Sequence, residues 1–391
     1  MPTLEDALAK AGARREAIER LIADAPLAHR PSLEFLVTHM PPIDLESVDL
    51  GMVATNTALA HEAMDSAPWA SRIPRELFLN DILPYACANE AREHWRPRLR
   101  EIAWPLVRDC TAPGEAARRL NERLFPLLKV GYNTKRRRPD QAPLETMASG
   151  MATCTGLSIL LADACRAVGV PARIAGTPLW SNMRGNHTWV EVWDGDWHFV
   201  GAAEPDPAGL DRGWFVHDAS QAKADEPRHA IYASSFRQTG LPFPLVWARS
   251  IHWVPAVNVT HRYIPKSSGP AVPEGQTRLL VKVLDQPAGR RVRAHVFVLD
   301  DLDPARSWTG SSRDESVDLN DILPLVVPSG RSYRIMASLD WNTAETRVGP
   351  VSGRESVVVL PMAERRLLSV PSQACYQPGT NRPAARLLPA P

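Results

Sequence analysis

Ser149-Gly150-Met151-Ala152-Thr153-Cys154-Thr155-Gly156 is the stretch on which the fold turns. These small residues pass directly into an apolar pattern in which Leu157, Leu160, Leu161, Ala164 and Val168 share one face at helical spacing. The pattern predicts a helix with Cys154 at or just before its first turn. There the unpaired backbone N–H groups and the positive end of the helix dipole favour an anion, which is how a thiol is prepared as a nucleophile. Cys165, inside the same helix, reads as a buried and inert thiol.

Gly169 is the expected stop for this helix, and Val170-Pro171-Ala172-Arg173-Ile174 reads as a strand leaving it. After the loop Ser181–Asn186, the segment His187-Thr188-Trp189-Val190-Glu191-Val192-Trp193 alternates as a strand, with His187, Trp189, Glu191 and Trp193 on one face. Asp194-Gly195-Asp196 is a hairpin signal, and Trp197-His198-Phe199-Val200 is the returning strand. With a two-residue turn at Gly195-Asp196, the pairing places His187 opposite Glu204. Cysteine on a helix start, histidine on a strand and carboxylate on the next strand form an order that acyl-transfer chemistry can use. The thiolate attacks an acyl carbon, the imidazole takes and returns the proton, and the carboxylate fixes the imidazole tautomer. The backbone N–H of Cys154 is the natural first oxyanion donor.

The G-x-x-x-C-x-G setting of Cys154, the His-x-Trp-x-Glu pattern from His187 to Glu191 and the strand opened by Trp197 resemble the transglutaminase-like superfamily of papain-like cysteine enzymes, in its bacterial form. The resemblance covers about Leu144 to Trp214. It implies that Cys154 is the nucleophile and His187 the general base. The family's aspartate, four residues after the tryptophan matched to Trp197, is replaced here by Gly201. Glu204 is the expected third member and Asp206 the reserve. The resemblance implies a peptide or side-chain amide as substrate and a thioester intermediate, with hydrolysis by a protease or amidase preferred. A transglutaminase using an amine acceptor is the alternative. An inactive binding or assembly module is the other reading, suggested by Gly201.

The 391 residues can hold two or three domains, and 44% apolar with 23% charged residues is an ordinary globular composition. The expected class is α+β. Residues 1–140 form a helical N-terminal region, with one helix from Leu4 to near Pro26, another over Ile43–Ala67 and a third over Pro113–Phe125. Residues 141–263 form the papain-like transglutaminase core, and 264–275 a linker. Residues 276–365 form a β-sandwich of immunoglobulin-like or carboxypeptidase-regulatory-like type with no catalytic residue, and 366–391 a flexible tail. The sandwich's strands are expected at Leu279–Leu284, Val292–Leu299, Tyr333–Leu339 and Ser356–Leu360. Leu79–Pro84 recurs as Leu319–Pro324 between unlike flanks and reads as coincidence.

A net charge of +1 gives no general attraction for nucleic acid or anionic membrane, and the basic run Lys135–Arg138 reads as a solvated loop. No stretch is long and apolar enough to span a membrane, and no leader pattern opens the chain, so a cytoplasmic location is expected, or export if a leader has been removed. The five scattered cysteines argue against a disulfide framework. No cofactor or metal is expected, because C-x-x-C pairs and H-E-x-x-H are absent. A protein or peptide is the expected substrate. Trp180, Trp189, Trp193 and Trp197 crowd one region, where three of them read as core and a peptide groove is the other reading; Trp214, and Tyr85 or Tyr132 from the front otherwise read as packing scaffold, are candidate cleft residues. His198, His217 and Glu191 read as structural. The sequence names no partner for the β-sandwich.

Overall fold

A computed structural model describes residues 2–264 and 272–362. Most of the expected linker, the end of the last domain, the tail and Cys375 lie outside the described residues. The helical front is present, but its long helices are broken. The first expected helix divides into Leu4–Lys10 and Arg15–Asp24, because Gly12 takes φ +55° and ends the regular α-helix between them. The second divides into Pro42–Ser47 and Leu50–Ser66, because the Asp49 carboxylate caps a new helix start through the N–H groups of Gly51 and Met52. Pro113–Leu128 continues a turn past Phe125, carrying Pro126 inside it, and closes on Lys129 at φ 53°. The helices Arg30–His39 and Trp95–Val107 complete the packing of the front.

Around this front the core is built on the helix Cys154–Ala167. Its sequence shows one apolar face, yet every residue from Thr155 to Ala167 is buried. The reason is neighbours on all sides: the helices Trp95–Val107 and Pro113–Leu128 on one side, and the sheet on the other. The polar groups that burial would strand are paired. Arg166 donates to the carbonyls of Ala172 (2.9 Å) and Ala86 (3.0 Å), and Ser158 to the carbonyl of Thr188 (3.2 Å). The helix ends where expected, with Gly169 at φ +77° and the Val170 N–H reaching back to the Cys165 carbonyl at 2.9 Å.

The core sheet has five antiparallel strands in the order Trp197–Val200, His187–Trp193, Ala172–Thr177, Tyr232–Ser234, Ala256–Asn258. One face, carrying Val190 and Val192, packs on the helix. The other face, carrying Trp189 and Phe199, packs with Trp180, Phe215 and Tyr263. Trp180, Trp189 and Trp197 are therefore core residues and not a substrate groove. The hairpin differs from expectation by one residue. Val190 pairs with Val200 and Trp193 with Trp197, so the turn holds three residues, with Asp194 N–H bonded to the Asp196 carbonyl at 2.9 Å. A shift of one residue exchanges the faces of a strand.

The C-terminal region holds a four-stranded antiparallel sheet, in the order Ser307–Ser311, His295–Asp300, Tyr333–Leu339, Asn342–Val348. A three-stranded sheet places Gln276–Leu284 between Leu323–Pro328 (antiparallel) and Glu355–Pro361 (parallel). One apolar cluster, including Val281, Val298, Ile335 and Leu360, draws on both sheets. The three strands that the sequence hid are polar on alternate residues or flanked by proline, as in Leu323–Pro328. The repeated hexapeptide adopts two structures: Phe78–Ile82 is a π-helical turn, whereas Leu323 and Pro324 open a strand.

Gly176 sits where the two central strands approach most closely. A Cβ there would lie 2.7 Å from the carbonyl oxygen of His187 and 3.4 Å from Cα of Thr188. Both neighbours are backbone, so neither can rotate away. Gly176→Ala is expected to lower Tm by about 1–4 °C, the range for overpacking a chain of this size. Thermal melting checks this, and an unchanged Tm would show that the strands part without strain.

Candidate active site

Cys154 is the first residue of its helix, as its surroundings in the sequence predict, and is partly exposed. Thr153 occupies the N-cap position, but its hydroxyl does not cap the helix; it accepts instead from Nε of Arg136 at 3.0 Å. The N–H groups of the first turn are thus left for another acceptor. Arg136 belongs to the basic run. Within that run Arg138 pairs with Glu145 at 2.7 Å, so two of its members have definite structural partners. Cys154 opens into a cavity of about 280 Å³ whose walls include Tyr132, Arg136, Asn186, Trp247, Asp318 and Leu319. Tyr132 is therefore a wall of this cavity. Tyr85 is buried elsewhere and donates to Asp44 at 2.8 Å.

His187 opens the second strand of the sheet and is almost fully buried, at 2% exposure. Aromatic rings surround it: Trp214 with its centroid at 4.7 Å, Phe215 at 5.0 Å, Trp189 at 5.7 Å and Trp180 at 6.2 Å. A relay holds Trp189 behind it. The Trp189 indole donates to the Tyr263 hydroxyl (2.8 Å), and that hydroxyl donates to Glu191 (2.8 Å), which also pairs with Arg173 at 2.7 Å. Glu191 is structural, as expected. His198 is likewise held, by Asp211 at 2.9 Å.

The carboxylate at ion-pair distance from His187 is Asp318, with Nδ1 to Oδ2 at 3.5 Å. Sγ of Cys154, a ring nitrogen of His187 and a carboxylate oxygen of Asp318 lie within 4.8 Å of one another. Neither ring nitrogen completes a hydrogen bond at this spacing. Burial works against protonation of His187. The Asp318 carboxylate, followed by Cys154, more than offsets it and holds the imidazole well above its ordinary range. Burial also works against the charge on Asp318, but His187 and the N–H groups of Asn320 keep it below the usual carboxylate range.

Glu204 does not take the place expected of it. Strand pairing ends at Val200, Gly201 to Glu204 form a turn with Ala203 at φ 63°, and the three-residue hairpin removes the pairing that set Glu204 opposite His187. Its carboxylate accepts from the Trp214 indole at 3.0 Å, and Glu204 lines a second cavity of about 430 Å³ that Tyr132 also walls. It also folds back over Gly201, where a Cβ would collide with Oε2 of Glu204. The glutamate thus occupies the space that a side chain at position 201 would need. Burial pushes its carboxyl up to about 7, partly offset by His187. Asp206 is no substitute, since it caps its own turn through the Ala208 N–H at 2.8 Å.

Sequence reasoning missed Asp318 because it lies in the domain read as having no catalytic residue, with nothing local to mark it. It also passed over Trp247, whose buried indole N–H lacks a protein partner. The three converging side chains are of types that bind metal ions, as are Cys87, Glu90 and Asp163. The latter three are fully buried and engaged: Cys87 donates to Asp163 at 3.4 Å, and Glu90 accepts the Ala88 N–H at 2.8 Å. Burial holds the other described thiols up, Cys165 at about 12, Cys110 at about 11 and Cys87 well above its ordinary range, as suits inert cysteines.

Residues 100–219 match the family model of the Transglutaminase-like superfamily. Among solved structures, the chain is similar to "a Putative Cysteine Protease from Cytophaga hutchinsonii", at 18% identity and a TM-score of 0.26, over 32% of this chain and 42% of that one. It is also similar to red sea bream transglutaminase, at 10% identity and a TM-score of 0.28, over 78% of this chain and 57% of that one. The chain thus spans less than two thirds of the length of either. No curated protein sequence matches it. Cys154 and His187 fall inside the matched segment and Asp318 outside it. Among the described residues no helix is long and apolar enough to cross a membrane.

Glu204 links this region to pH. Its pKa in the folded chain, about 7, is raised above the ordinary glutamate value of 4.5, so its contribution to stability is full below about pH 4.5 and is lost as pH rises through 7. Glu204→Gln, which can still accept from Trp214, is expected to be more stable than wild type at pH 8 by roughly 3 kcal/mol, with the gain shrinking toward pH 4.5. Melting curves at the two pH values test it. A difference independent of pH would mean that the carboxyl is not perturbed.

Proposed function

We propose, from a transglutaminase-like core at residues 100–219 as premise, that this chain is a cysteine-dependent acyl-transfer enzyme. It acts on a peptide or side-chain amide with water as the preferred acceptor, as a protease or amidase. The observation that supports this best is the convergence of the Cys154 thiol and the His187 imidazole beside the Asp318 carboxylate, with Cys154 and Asp318 lining one cavity and the imidazole buried behind them.

In the first half-reaction the Cys154 thiolate attacks the amide carbon. A C–S bond forms, the C–N bond breaks, and the proton on His187 passes to the leaving nitrogen. In the second, His187 removes a proton from water, the hydroxide adds to the thioester carbon, and the C–S bond breaks to return the thiolate and release an acid. An amine in place of water would give a new amide. Each tetrahedral intermediate carries an oxyanion that needs donors. The uncapped first turn offers the N–H of Cys154, and we assign the second place to the indole N–H of Trp247 on the same cavity.

Wild type, Cys154→Ala and Trp247→Phe are to be incubated with a glutamine-containing peptide library, with and without a primary amine, and followed by ammonia release and product mass. Backbone cleavage that is absent in Cys154→Ala is expected, with kcat lowered about 10²–10³-fold in Trp247→Phe. Ammonia release with amine incorporation would make the chain a transglutaminase, and ammonia release alone an amidase. Activity retained by Cys154→Ala would overturn the reading. Silence in all three, with no alkylation of Cys154 by iodoacetamide at mildly acidic pH in wild type, would leave a binding module.

A further inference from the structure

The loop between the strands Ser307–Ser311 and Leu323–Pro328 crosses from the C-terminal domain to the mouth of the Cys154 cavity, and it is held at both ends of its reach. On its own domain, the guanidinium of Arg291 donates to the carbonyls of Val317 (2.6 Å), Asp318 (2.9 Å) and Asp321 (3.2 Å). On the core, Asn320 donates from Nδ2 to the Asn186 carbonyl (3.0 Å), next to His187, and its own carbonyl accepts from Arg184 at 2.9 Å. Gly185 has no side chain to obstruct this approach, for a Cβ there would lie 3.0 Å from Oδ1 of Asn320. Behind the loop, Arg184 pairs with Asp218 of the core and with Glu355 of the C-terminal domain (3.1 Å), and Arg278 bridges the same two acids at 3.4 and 3.2 Å.

This framework fixes how the Asp318 carboxylate points. Oδ1 accepts from the backbone N–H of Asn320 (2.9 Å) and from its Nδ2 (3.2 Å), while Oδ2 is turned to Nδ1 of His187 at 3.5 Å. Two donors on one oxygen leave the other for the imidazole. That is the arrangement in which a buried carboxylate holds a histidine in one tautomer and stabilises it when protonated. Glu204 is committed to Trp214 and makes no such pair.

We propose that Asp318, supplied by the C-terminal β domain, is the positioning residue for His187, so that the active site is assembled across two domains and is incomplete without the docked loop. The proposal rests on the reading of Cys154 and His187 as nucleophile and base. It gives the C-terminal domain a part in the chemistry. The direction of the His187 pKa agrees with it, since Asp318 is the leading contribution that raises it.

The test uses the full chain with Asp318→Asn, Asn320→Ala and Glu204→Gln, each checked for fold by thermal melting. The first readout is the titration of the His187 imidazole by NMR, which needs no substrate. Asp318→Asn is expected to lower that pKa by more than one unit, and Asn320→Ala, which keeps the carboxylate but frees Oδ1, by less. Glu204→Gln should move it less than half as far as Asp318→Asn. On a cleaved substrate, Asp318→Asn should lower kcat about 10²–10⁴-fold with KM little changed. Should Asp318→Asn fail to fold, Asn320→Ala carries the test by the same titration. An unshifted His187 in the folded variants overturns the proposal even where Cys154 proves essential. A shifted His187 in a protein whose Cys154→Ala form keeps its activity overturns the cysteine reading and leaves the pairing of Asp318 with His187 standing.

Discussion

An imidazole held among aromatic rings and away from water is the constraint on which the rest depends. Burial alone would keep His187 neutral, because a desolvated cation is expensive unless anions face it. The thiol on one side and a carboxylate on the other reverse that preference. Around this triplet the aromatic residues fix the ring in place, the relay from Trp189 through Tyr263 to Glu191 fixes the aromatic residues, and Arg173 neutralises the end of the relay. The helix adds its open first turn because Arg136 takes the hydroxyl that would have capped it.

The parts of this arrangement that the sequence carries legibly are local. Helical spacing after Gly156, a glycine at the helix end and strict alternation from His187 to Trp193 locate Cys154 and His187 on their elements, because each depends on neighbours within a turn or a strand. The carboxylate is not local. Assigning it from sequence depends on whether the turn after Trp193 has two residues or three, and a single residue decides which face a side chain takes. The Asp194 N–H closes on the Asp196 carbonyl, and the whole pairing moves by one. Asp318 is further from view still. It lies far along the chain beyond the core, in a loop whose course is set by Arg291 and by Asn186, neither of them near it in sequence. The fold class was legible for the same reason that the breaks at Gly12 and Asp49 were not: apolar periodicity survives a change of direction that one residue imposes.

Gly201 and Glu204 belong together. The glutamate carboxylate fills the room that any side chain at position 201 would need, and Trp214 keeps it there. An aspartate placed at 201 would meet the glutamate before it met the histidine, so the two positions exchange only as a pair. The absence of the expected aspartate is therefore compensated sterically by Glu204, and an acid from another domain stands at the imidazole.

Gln276–Leu284 is the central strand of its sheet, and Glu355–Pro361, its parallel neighbour, is the last described strand of the chain. Chains emerge from the ribosome N-terminus first, and domains fold as units. The thiol and imidazole are therefore in place long before the sheet that carries the Asp318 loop can close. During synthesis the core passes through a period in which Cys154 and His187 are present but the Asp318 carboxylate is not yet beside the imidazole. The order of translation thus delays the meeting of thiol, imidazole and Asp318 carboxylate until the strands that frame the Asp318 loop have been made.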